Sequence, residues 1–93
     1  MSDLTIADFA PLKGQALAVT AGEAQLELQL SEVHSLPASV RPAGGFRLEF
    51  VGPPQPMLAQ GIYQFALDPG PREIFIVPVG QDSQGIRYEA VFF

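Results

Sequence analysis

The 93 residues carry five Lys plus Arg against ten Asp plus Glu, a net charge of −5, so they make one small acidic domain, spanning 1–93, with room for one core and no deep cleft beside it. That balance, with its scattered arginines, argues against nucleic acid and against anionic membrane surfaces as partners. With 47% hydrophobic residues, 16% charged residues and no cysteine, the chain is too apolar for disorder and must be held by packing, without disulfides or thiolate metal sites.

The start, Met1 to Asp8, has no basic region leading into an apolar one, and no window reaches the ~18 apolar residues of a membrane helix. A cytoplasmic location is the default expectation, with signal-less export left open. Between Thr5 and Leu12, Asp8 is placed to cap a turn ahead of Phe9-Ala10-Pro11-Leu12, which predicts one or two helical turns plugging an end of the core. The chain has nine Gly and nine Pro, and beyond that segment they punctuate short runs of period-2 alternation, the pattern of an all-β chain.

The first strand is Gln15 to Thr20, and Ala21-Gly22-Glu23 turns it into a second. There Leu26, Leu28 and Leu30 alternate with Glu27, Gln29 and Ser31, after which the phase slips to put Val33 inward; a bulge near Ser31-Glu32 accounts for the slip. Leu36 to Gly45, with Pro37, Pro42 and Gly44-Gly45, reads as a loop. The third strand, Phe46 to Val51, sets Phe46, Leu48 and Phe50 against Arg47, Glu49 and Val51.

Gly52-Pro53-Pro54-Gln55-Pro56 cannot feed a ladder at its prolines and predicts an extended crossing between edges. The fourth strand, Ile62 to Leu67, ends at the turn Asp68-Pro69-Gly70-Pro71. The fifth, Glu73 to Val79, is apolar on both faces, with Pro78 marking an edge or bulge. Gly80 to Gly85 reads as a loop, with Gly85 supplying a positive φ, and the sixth strand runs from Ile86 to Phe93. These elements predict a small six-stranded antiparallel barrel or sandwich with one short N-terminal helical turn, closure being favoured because it removes edges.

The chain stops on Val91-Phe92-Phe93 with no polar residue after it, although termini are polar and frayed unless something ties them down. The Tyr88 and Phe92 face of the last strand is core. Its other face turns from Arg87 and Glu89 to Val91 and Phe93, and the fifth strand is apolar on both faces. Such positions require a second cover, either the N-terminal turn with Ile6 and Phe9 or another protein. Phe75, Val91 and Phe93 are therefore the candidate partner interface.

Residues suited to chemistry are few. His34 is the single histidine, Ser31 and Ser35 near it sit in no G-x-S-x-G elbow, and no carboxylate pair at ligand spacing accompanies it. Glu27, Glu49 and Glu89 alternate with core positions and share outer faces with Arg47 and Arg87, which predicts cross-strand ion pairs worth about 0.2–1 kcal/mol each. Asp82 to Gly85 lacks the alternating acids of a calcium loop, and Arg41 to Gly45 lacks both a Walker lysine and a following helix. The expectation is a non-catalytic module with no cofactor and no metal.

Phe9-Ala10-Pro11-Leu12-Lys13-Gly14-Gln15, Phe46 to Pro53, Gln60-Gly61-Ile62-Tyr63, and Val77-Pro78-Val79-Gly80 followed by Gly85 to Phe92 resemble a family of small bacterial β-domains carrying only a domain-of-unknown-function label. The resemblance spans nearly the whole chain and rests on Gly, Pro and aromatic positions, so it carries over no catalytic residue. It implies neighbours akin to phage-tail-collar proteins, and with them a tail-associated or assembly role through a protein partner or self-association. A small barrel binding an apolar molecule between its strands is the alternative.

Overall fold

Runs of alternating residues bounded by Gly and Pro become six strands: β1 (Ala16–Ala21), β2 (Ala24–Leu36), β3 (Gly45–Gly52), β4 (Gly61–Phe65), β5 (Arg72–Asp82) and β6 (Gly85–Phe92). The computed structural model of the chain describes residues 4–36, 44–67 and 70–92. Every pairing is antiparallel, and the order β1-β2-β3-β6-β5-β4 closes on itself as a barrel. Of the two architectures open to the sequence, closure is the one adopted.

Alternation decides which side chains fill the interior. Val19, Leu28, Leu30, Phe46, Leu48, Phe50, Phe65, Ile76 and Tyr88 are fully buried, and each is flanked in sequence by outward-facing residues. The β2 phase slip is a register shift between Leu30 and Glu32, which returns Val33 to the inner face opposite Leu48. A second shift between Pro78 and Gly80 leaves Val79 unpaired, where proline has no N–H to offer a ladder. The crossing from β3 to β4 is tied down by the Leu58 N–H, which donates to the buried Tyr88 hydroxyl at 2.9 Å.

Several boundaries differ from the sequence reading. β2 continues to Leu36, and β5 reaches Asp82, leaving only Ser83 and Gln84 as the turn. Gln81 and Asp82 are polar, yet their backbones pair with Ile86 and Gly85; on a solvated ribbon, ladder hydrogen bonds extend a strand without an apolar pattern. Residues 37–43 and 68–69, within the expected loop and turn, lie outside the described residues.

The N-terminal turn forms as α1 (Ile6–Phe9), followed by a 3-10 turn (Ala10–Leu12). Asp8 does not begin it. Thr5 is the N-cap, and its N–H donates to the Asp8 carboxylate at 2.7 Å, so Asp8 acts from three residues inside the helix. Phe9 is fully buried with its ring centroid 5.7 Å from that of Phe46 and 6.1 Å from that of Phe92, which in turn stacks on Phe46 at 4.4 Å. Each such aromatic pair adds about 0.5–1.5 kcal/mol beyond burial. The turn thus plugs the barrel end on the inner face and does not cover the outer face of β5 and β6.

Candidate interaction surface

With Phe9 committed to the interior, the outer sides of β4, β5 and β6 are bare. Phe75 is 50% exposed, Val91 50% and Ile62 65%. Ile62 is the register partner of Phe75 across β4 and β5. Phe75 lies two residues from Val77 and Val91 two from Glu89, and Val77 pairs with Glu89. The period-2 rule therefore sets all three on the same outer face of consecutive strands. Phe75 and Val91, expected from the sequence, sit there together, whereas Phe93 lies outside the described residues. Ile62 was missed because it stands as a single large apolar residue on its side of the fourth strand, next to Tyr63; pairing with Phe75 across β4 and β5 is what makes it part of the face. Met57 and Val79 are also exposed, in the crossing and at the second bulge.

The adjoining outer face, on β2, β3 and β6, is polar and internally paired. Glu32, Glu49 and Glu89 are register partners in a row across the three strands, and three like charges side by side repel. Arg47 answers two of them, its Nη1 lying 2.9 Å from Glu49 Oε2 and 3.0 Å from Glu89 Oε2. Lys13 reaches Glu32 at 3.3 Å. Arg87, expected on the same network, pairs instead with Asp82 at 2.7 Å across the β5–β6 turn.

His34 lies near the end of β2 opposite Arg47, and its Nε2 is 2.9 Å from Glu49 Oε2. Ser31 donates its hydroxyl to the Glu49 carbonyl oxygen at 3.1 Å. The serine is thus turned toward backbone and the carboxylate is shared with Arg47, an arrangement that holds charge in place. Among the described residues no group of three or more His, Asp or Glu side chains is arranged to hold a metal ion. No described helix is long and apolar enough to cross a membrane.

A cleft of about 470 Å³ runs along β1 between the N-terminal turn and the start of β5, lined by Leu4, Leu12, Leu17 and Leu67 with Asp8 and Arg72. It exists because β1 and β4 pair at only two positions, Val19 with Phe65 and Thr20 with Gln64, after which the chains separate.

Residues 4–92 match the family model of a domain of unknown function, DUF6916. No curated protein and no solved structure matches the chain. The chain belongs to that family.

Proposed function

We propose that this member of the family is a non-catalytic protein-interaction or assembly module whose docking surface is the outer face of β4, β5 and β6, centred on Phe75. One observation carries the reading: Ile62, Phe75 and Val91 are half or more exposed on consecutive strands, while the N-terminal turn that could have covered them buries Phe9 inside the barrel and packs Ile6 against its core. Large apolar side chains grouped on a small surface are the usual anchors of protein interfaces. A tail-associated assembly role is one form such a module takes, and it rests on the sequence resemblance alone.

The test is a comparison of wild type with Phe75→Asp. Because the side chain is half exposed and its cross-strand partner is Ile62, the substitution should lower stability by only about 1 kcal/mol and leave the barrel folded, while self-association by light scattering, or quantitative recovery of host partners, is lost. Identical complexes from both proteins would refute the surface.

A second reading, binding of a small apolar ligand, is favoured by the leucine-lined cleft rather than by space between the strands. It ranks lower because apolar ligands are usually enclosed on most sides, and this cleft opens along β1. Under this reading Leu12→Lys should abolish binding of an apolar fluorescent dye; equal binding by both proteins removes it.

A further inference from the structure

The proposed surface leaves its partner's chemistry open, and the pattern of unpaired charge supplies it. We propose, resting on the interaction reading above, that the partner is a second protein presenting a basic and apolar face, and not another copy of this chain. Glu73 lies on β5 two residues before Phe75, exposed on the same outer face, and its register partner is the neutral Gln64. Among the described residues it has no ion-pair partner, so the apolar row is bordered by an unneutralised carboxylate. On the opposite border Glu89 is already held by Arg47.

A second copy is poorly equipped to meet Glu73. Among the described cations, Lys13, Arg47 and Arg87 are engaged by Glu32, by Glu49 and Glu89, and by Asp82, and Arg72 has an interaction of its own; Arg41 lies outside the described residues, and one cation would still leave each copy at net −5. Pairing two copies would bring together two chains of net charge −5 and desolvate like carboxylates beside Phe75, an arrangement that like-charge repulsion and desolvation disfavour. A partner with lysines or arginines beside its apolar side chains covers Phe75 and neutralises Glu73 in one contact. Its association is accelerated by the acidic field and slowed by salt.

The experiment uses two probes, a short peptide alternating Lys with Val and its counterpart with Glu for Lys, titrated into the labelled intact chain at low and high salt with amide shifts as the readout. The Lys peptide should shift Ile62, Glu73, Phe75 and Val91, bind roughly tenfold tighter than the Glu peptide at low salt, and lose that advantage at high salt. Glu73→Lys should reverse the preference between the peptides, and Phe75→Ser should weaken both. Equal binding of the two peptides at these amides, unaffected by Glu73→Lys, overturns the basic partner while leaving the surface standing. Shifts confined to the β1–β2 hairpin, where Glu23 and Glu27 lie, overturn its location. Concentration-dependent self-association that Phe75→Ser abolishes, with neither peptide competing, assigns the surface to a second copy and overturns the proposal. Full binding by Phe75→Ser removes the interaction surface itself.

Discussion

At Asp82 a single exposed carboxylate closes the β5–β6 turn from both sides. It accepts the Gln84 N–H at 2.8 Å and the Arg87 Nε–H at 2.7 Å. The Gln84 backbone donor first, and Arg87 after it, hold the carboxyl below its ordinary value of 3.8, because both favour the ionised form. A lowered folded-state value means the unfolded chain takes up the proton first as pH falls. The contribution is therefore present above about pH 4 and is lost as pH drops through the folded value. Asp82→Asn should be less stable than wild type at neutral pH, and the two urea midpoints should converge once the pH has fallen through the folded-state value. Parallel curves down to the lowest pH would show that the carboxylate contributes nothing. Next to it, Gly85 has φ +138°, a freedom readable from the sequence as a turn requirement. Its second constraint was not readable: a Cβ there would collide with the carbonyl oxygen of Gly52, a partner that only the pairing of β3 with β6 brings alongside.

Among the elements, β1 is the least evenly held. It pairs with β2 at six positions and with β4 at two, helped by the Ala66 N–H donating to the Ala18 carbonyl at 2.9 Å. Opening that seam breaks few hydrogen bonds, so it should be the lowest-energy sub-global fluctuation of the sheet. Hydrogen exchange should find the amides of Thr20, Gln64 and Ala66 less protected than those of Leu48 and Tyr88 at the β3–β6 centre; equal protection would mean the barrel opens only as a whole. The seam was invisible in the sequence because β1 and β4 each alternate correctly and nothing local states how far two distant strands overlap. The bulges were legible, since a phase slip after Leu30 and a proline at position 78 are written in the strands themselves. Strand ends at Leu36 and Asp82 were not, because backbone pairing, of Leu36 with Gly45 and of Asp82 with Gly85, and not the apolar pattern, sets where they stop.

For the molecule as a whole, the all-β class and the inner face followed from period-2 alternation, and the choice of a barrel from the need to remove edges in a short chain. What could not be read was how the covers are shared out. Ile6 and Phe9 could shield the interior or the outside of the last strands, and it is the ring contacts of Phe9 with Phe46 and Phe92 and the packing of Ile6 against the buried core that assign them inward. Charge behaves likewise. The outer acids announced ion pairs, but that Arg47 would serve two of them while Arg87 turned to Asp82 depended on three-strand register. The binding proposed for the β4–β5–β6 face, where Glu73 has no ion-pair partner among the described residues, would thus be a property of the assembled barrel rather than of any one strand.

The separation of faces in β5 has a further consequence. Ile74 and Ile76 are buried while Phe75, between them, makes no demand on the interior. Substitutions at Phe75, Ile62 and Val91 therefore cost the barrel far less than those at Ile74 and Ile76. Descendants of such a scaffold are free to change allegiance while keeping their shape, so inheritance of form and inheritance of specificity are carried by alternate letters of the same strand.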